Sequence, residues 1–190
     1  MMARLPIDPR ISRMIIEAEK EGCVYDILII AAALSIQDPR ERPVELEKEA
    51  DKIHAGFIDP ASDFMTLLRI WNQYHGFLKT VKSKNRMKRF CRDHYLSYRR
   101  MREWIDVYEQ LKEILNEQGL GIKKRNDVND KHLYEGIHKS ILSGYLSNIA
   151  TKKEKNMYAA AKGKEVMIFP GSGLFNKGGR WIVAAEMVET

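Results

Sequence analysis

The chain has 190 residues, 32 Lys+Arg against 26 Asp+Glu for a formal net charge of +6, and 44 % hydrophobic residues. That apolar content is too high for a disordered chain, no apolar run reaches the roughly 18–20 residues of a membrane span, and Met1-Met2-Ala3-Arg4-Leu5-Pro6 lacks the apolar centre of a signal peptide. Two cysteines, Cys23 and Cys91, cannot build a disulfide framework, so the expected setting is reducing and cytoplasmic, with no membrane partner.

Asp8-Pro9 reads as a helix start, with Asp as N-cap and Pro at the first helical position. Ile11, Met14, Ile15 and Ala18 follow at helical spacing, and Gly22 ends the helix. Residues 24–35 are apolar nearly all round and predict a buried helix. Residues 37–43 form a charged loop bracketed by Pro39 and Pro43. A polar helix is expected over 44–54, with Leu46, Ala50 and Ile53 facing inward. Asp59-Pro60 breaks it. Ser62 or Asp63 then caps a helix with Phe64, Leu67, Leu68 and Trp71 on one stripe, expected to stop near Gly76. The next helix begins near Ser83 and carries Met87, Phe90, Cys91, His94 and Tyr98. Met101, Trp104, Ile105, Tyr108 and Leu115 continue the stripe to Gly119, as one long helix or as two with a bend near residues 97–100. Residues 119–130 are the best linker candidate. A helix is predicted over about 131–149, bearing Leu133, Ile137, Ile141, Leu142, Tyr145 and Leu146. The pattern then turns to short strands at 158–161, 165–169 and 181–188, with a tight turn at Pro170-Gly171-Ser172-Gly173. Three strands are fewer than the five of a small OB-type barrel, so the chain reads as a piece of a longer protein.

The charge is concentrated. From Lys79 to Arg102 stand ten basic residues and one acid, Asp93, so this window carries +9 while the other 166 residues sum to −3. Phe90, Tyr95, Tyr98 and Trp104 are interleaved with it. Cations that pair with phosphates, beside rings that stack on bases, are the composition of a single-stranded nucleic-acid surface. The competing reading is a solvated helix face with its rings in the core. Nothing in the sequence identifies a reader of the 2′-hydroxyl, so RNA and DNA are both admitted.

Signatures of catalysis are missing. Gly171-Ser172-Gly173 with Lys177 only echoes a phosphate loop, because the Gly-Lys-Ser/Thr tail is absent. Cys91 and His94 lie three apart on one helix, half of a metal site without a second pair, and a packed Cys and His is the simpler reading. No nucleophile elbow is present. Glu103, Asp106 and Glu109 read as a salt-bridge face. The residues therefore favour a binding module over an enzyme.

Four blocks carry a family resemblance. They are residues 7–10 with Met14, residues 22–24 and 29–40; residues 62–68 with Trp71-Asn72; residues 90–99 running into Arg102-Glu103-Trp104; and residues 141–147, 168–175, Trp181 and 186–190. In this order they resemble the accessory region of DEAH-box RNA helicases, bacterial HrpA type. The resemblance implies a mainly α fold: the end of a winged helix at 1–37, a ratchet-like helical bundle at 38–130, and a connecting helix with the first strands of a truncated OB-like domain at 131–190. It implies a nucleic-acid grip in a motor that moves 3′ to 5′ along single-stranded RNA. ATP and Mg would belong to RecA-like domains of the same parent chain that are absent here, leaving no cofactor in this piece and no ATPase activity of its own. The third block resembles the ratchet helix that lines the RNA channel, and Arg99 falls on its arginine. The family usually has Asn where His94 and Ser97 stand. The turn at 170–173 matches the family's His-Pro-Ser-Ser turn, with Phe169 for the His and Gly171 for the first Ser. Expected nucleic-acid contacts are Arg89, Arg92, Arg99, Arg100, Arg102, Ser172 and Gly173. The alternative is a protein-interaction scaffold of the helicase, docking an activator or a ribosomal partner.

Overall fold

The computed structural model describes residues 8–81, 83–122 and 130–187. Ile7, Lys82, most of the linker candidate and Val188–Thr190 lie outside the described residues. Among the described residues seven α-helices precede a small antiparallel sheet: α1 (Pro9–Glu21), α2 (Val24–Leu34), α3 (Glu47–His54), α4 (Asp63–Thr80), α5 (Lys84–Asp93), α6 (Tyr98–Glu117) and α7 (Asp130–Gly144), then β1 (Ile149–Glu154), β2 (Met157–Ala160), β3 (Glu165–Met167) and β4 (Trp181–Val183). The expected fold class, mainly α followed by an OB-like segment, is what the chain adopts. It divides into two compact units, residues 29–113 and residues 1–28 with 114–190.

In the 29–113 unit the helices surround an aromatic core. Trp104 and Trp71 are buried with ring centroids 5.2 Å apart, and Tyr108 lies 4.9 Å from Trp71. The Trp104 indole N–H donates to the Ile29 carbonyl at 2.9 Å, satisfying a polar group that burial would otherwise penalise. Ile29 to Ala32 are fully buried, as an all-round apolar helix requires. Ser62 caps α4, its Oγ accepting the Met65 N–H at 3.4 Å. The helix runs through Gly76 to Thr80 instead of stopping there. Gly76 meets nothing that forces a turn, and Phe77 beyond it stacks on Phe90 at 4.6 Å. Residues 44–46 form a 3-10 turn before α3, and Leu46 faces outward at 45 % exposure, against expectation. Ala50 is buried as expected.

The basic stretch is two helices. The break falls at residues 94–97, a little before the expected bend. Tyr95 takes the left-handed conformation with φ +50, a cost of about 1–2 kcal/mol for a residue with a side chain. A neighbouring loop compensates. The Tyr95 carbonyl accepts the Glu41 N–H at 2.8 Å and lies 3.0 Å from His54 Nε2, while the Ser97 N–H donates to Pro39. Arg40 and Leu96 form an isolated antiparallel bridge.

In the other unit α1 starts as read. Asp8 Oδ1 accepts the Arg10 N–H at 2.7 Å, and Gly22 closes the helix at φ +69, where a Cβ would be strained. The α1 and α7 backbones come close. A Cβ on Gly144 would stand 2.6 Å from the Arg10 carbonyl oxygen. Buried Cys23 and Ser140 meet across the same contact at 3.5 Å. The helix predicted to reach residue 149 ends at this glycine. Leu142 and Leu146, expected on its inner face, are exposed.

The residues beyond it contain a strand that the sequence did not announce. β1, Ile149-Ala150-Thr151-Lys152-Lys153-Glu154, buries only Ala150. It is nevertheless central: the strand order is β3-β2-β1-β4, all antiparallel, with Ala150 opposite Ala160 on one side and Ile182 on the other. Four strands therefore stand among the described residues where three were expected. Three hairpin-connected strands, with the fourth returning beside the first, make the Greek-key order of OB-type folds. Ala150, Tyr158 and Ile168 form its core, closed by Val166, Leu174, Phe175 and Ile182.

Candidate nucleic-acid interface

The buried residues of α5 are Met87, Phe90 and Cys91. At 100° per residue this leaves an outer arc of about 260°, and Lys84, Lys88, Arg92, Arg89 and Arg86 fan across about 200° of it in that angular order. All five are exposed. One acid answers them on the helix: Asp93, 3.5 Å from Arg89 and 3.7 Å from Arg92. These are exposed pairs of small energetic weight. Sequence reasoning singled out Arg89 and Arg92 but not the Lys84-Lys88-Arg92 row; the i, i+4, i+8 spacing was the signal available.

On α6 the buried stripe is Met101, Trp104, Tyr108, Leu111 and Leu115. Arg99 sits near the middle of the opposite face, exposed, without an ion pair among the described residues. Arg102 is turned toward Asp106 at 3.6 Å. Arg100 has a different task. It is half-buried, and its Nη1 donates to the Asp38 carbonyl at 3.0 Å, tying α6 to the loop that holds the Tyr95 elbow. The break at 94–97 also separates Arg92 from Arg99 and Arg102.

Of the interleaved rings, Phe90 and Trp104 belong to the core, at 8 % and 0 % exposure. Tyr95 and Tyr98 are half-buried and reach the surface. The Lys88 ammonium lies 5.9 Å from the Tyr98 ring centroid, a cation–π contact. His94 stacks on Phe90 at 4.1 Å with its Nδ1 2.8 Å from the Phe90 carbonyl oxygen. Burial pushes the Cys91 thiol up to about 12, so it is an unreactive packing group at neutral pH. No cluster of three or more metal-ligating side chains occurs among the described residues.

Ser172 and Gly173 lie in the other unit, on the connection between β3 and β4. The turn is fixed internally: the Ser172 N–H donates to the Phe169 carbonyl at 2.9 Å, and Ser172 Oγ accepts the Leu174 N–H at 3.1 Å. Leu174 and Phe175 anchor it on the sheet core. The Phe169 ring covers Gly171, where a Cβ would stand 2.6 Å from Cε1. Gly178 is needed for packing: a Cβ there would be 2.4 Å from the Tyr158 hydroxyl and 2.7 Å from Ile168 Cδ1.

Residues 8–95 match the family described as helicase associated domain (HA2), ratchet-like. Residues 137–190 match the oligonucleotide/oligosaccharide-binding (OB)-fold family. Over all 190 residues the chain is 43 % identical to the ATP-dependent RNA helicase HrpA of Escherichia coli (strain K12). It is 44 % identical over the same length to the ATP-dependent RNA helicase HrpA homolog of Haemophilus influenzae. It spans 14 % of the length of each of these relatives. No helix among the described residues is long and apolar enough to cross a membrane. Two family matches in succession and 43–44 % identity along the full chain lead to one conclusion: the chain is similar over its whole length to one stretch of HrpA-type helicases, and it matches a helicase-associated, ratchet-like domain followed by an OB-fold.

Proposed function

We propose that the chain grips single-stranded RNA for an ATP-dependent helicase. The observation that carries this is the cationic fan on α5, five exposed basic side chains against one acid, continued by Arg99 on α6. Arg89, Arg92, Arg99 and Arg102 contact phosphates. Arg100 supports them from the loop side. The turn bearing Ser172 and Gly173 adds a second contact from the OB-fold. A motor must pass any sequence, so recognition rests on backbone charge rather than on base edges. RecA-like domains of the longer protein supply ATP hydrolysis with Mg and drive 3′-to-5′ movement, for which this region is the hold on the track. Single-stranded DNA carries the same phosphates and should also bind.

The test is binding of labelled oligo-U to the 190-residue chain across a salt series. Each phosphate contact contributes a slope of about −0.7 in log K against log salt for single strands. Three to five contacts therefore give roughly −2 to −3.5, and Arg99→Glu should remove about one contact's worth. In the full helicase the same substitution should slow unwinding while leaving RNA-free ATP hydrolysis in place. A salt-independent affinity, or unimpaired unwinding by the Arg99→Glu helicase, overturns the reading.

A further inference from the structure

Beside the fan, the 29–113 unit carries an open groove of about 450 Å³. Pro43, Leu46 and Leu96 give its lining an aliphatic part, and Tyr95 and Tyr98 wall it. Lys88 and Arg92 stand along one side, and Glu41 is the one acid among the lining residues. The 3-10 turn at its edge presents Val44 at 87 % exposure and Leu46 at 45 %. Among the described residues of this unit, these are the large apolar side chains that stand most exposed; Leu46 lines the groove and Val44 stands two residues before it.

We infer that the groove is a docking site for an acidic peptide segment of a partner protein, one that inserts an apolar anchor. Three observations select this occupant. Aliphatic side chains raised at the rim gain from a peptide's apolar residue, whereas a strand held by its phosphates has no use for them. Lys88 and Arg92 favour an acidic flank over a basic one. A second copy of this chain would bring the same cations to the contact and be repelled. The elbow at residues 94–97 is fixed by hydrogen bonds to residues 39–41, so both walls are preformed and little ordering cost falls on binding. The site shares two cations with the proposed RNA surface but does not depend on that function.

The experiment is a selection of phage-displayed peptides of about twelve residues on the full 190-residue chain at about 150 mM salt. Enriched sequences should be net acidic with one or two large apolar residues. A synthetic copy of one should bind at least tenfold more weakly to the Val44→Ser, Leu46→Ser double variant and also to Lys88→Gln. Both changed apolar residues are exposed, so the double variant should melt as the parent does. It should bind oligo-U within twofold of the parent. The inference is overturned if no sequence is enriched, or if enriched peptides are basic or indifferent to the double variant. It is equally overturned if oligo-U binding falls as far as peptide binding, which would make the groove part of the nucleic-acid surface. Peptide binding by a chain that fails to bind oligo-U would sink the RNA reading and leave this one standing.

Discussion

The helical unit of residues 29–113 and the sheet of residues 149–183 are both built around buried aromatics, but to different depths. In the helical unit Trp71, Trp104, Tyr74 and a run of apolar residues on α2 are shut off from water. Removing one side chain there leaves many neighbours. In the sheet, Tyr158 is the one large side chain fully buried among the described residues, flanked by Ala150 and Ile168. Its hydroxyl donates to the Gly179 carbonyl at 2.8 Å. The β3–β4 connection is thus held to the sheet by this ring and hydroxyl, by Leu174 and Phe175, and by Lys152, whose Nζ donates to the Gly178 carbonyl at 2.8 Å, with Gly178 making room. A deep core loses most when a large ring is cut from it; a shallow one has less to lose but rests on fewer contacts.

The sharpest test of this contrast is Trp104→Ala. It opens a large cavity and removes the indole hydrogen bond to the Ile29 carbonyl, and should cost about 3–5 kcal/mol, read from the midpoint of urea denaturation. Gly178→Ala comes next. Its Cβ would meet Tyr158 and Ile168 well inside contact distance, so a loss of about 1–3 kcal/mol is expected. Hydrogen exchange should show that loss first in β1, β2 and β3. A silent Gly178→Ala would mean that the sheet core is looser than described. The smallest effect is electrostatic. Burial pushes the Asp38 carboxyl up, but hydrogen bonds and charge from Arg40, at 2.6 Å, outweigh this and hold it below the ordinary carboxylate value. A carboxyl depressed on folding contributes stability above its unfolded pKa and loses it as pH falls through the folded value. Asp38→Asn should therefore destabilise by about 0.5–1 kcal/mol at pH 7, discounted because the pair is partly exposed. The gap between variant and parent should narrow as pH falls below the ordinary carboxylate value of about 4.

Much of the helical unit is written locally. Ser62 and the stripe through Trp71 and Trp104 mark its elements, as Asp8-Pro9 and Gly22 mark α1, because caps and helical periodicity act within a few residues. What escaped was decided at a distance. β1 is a polar segment that becomes a strand because Ala160 and Ile182 lie on either side of Ala150. α7 ends at Gly144 where the Arg10 backbone approaches. The elbow at Tyr95 is imposed by Pro39 and Glu41, some fifty-odd residues earlier. For the candidate interface, composition located the charge window and the stripe placed it on a helical surface. The task of Arg100 depended on the Asp38 carbonyl, and nothing in the local sequence near residue 100 encodes that partner.

Interrupting the basic stretch at Tyr95 also has an electrostatic consequence, because it creates a second helix start. A helix N-terminus carries a partial positive charge that favours acids in the first turn. Neither α5 nor α6 has one there. Instead Lys84 and Arg86 open α5, while Arg99 and Arg100 open α6. Each such mismatch disfavours the helix by roughly 0.3–1 kcal/mol at low salt. Arg99→Glu should then leave α6 as stable as before or more so, even as it weakens RNA binding. On the proposed reading, RNA binding and folding pull in opposite directions at that position, and an arginine the helix would do better without stands where a polyanion would relieve it.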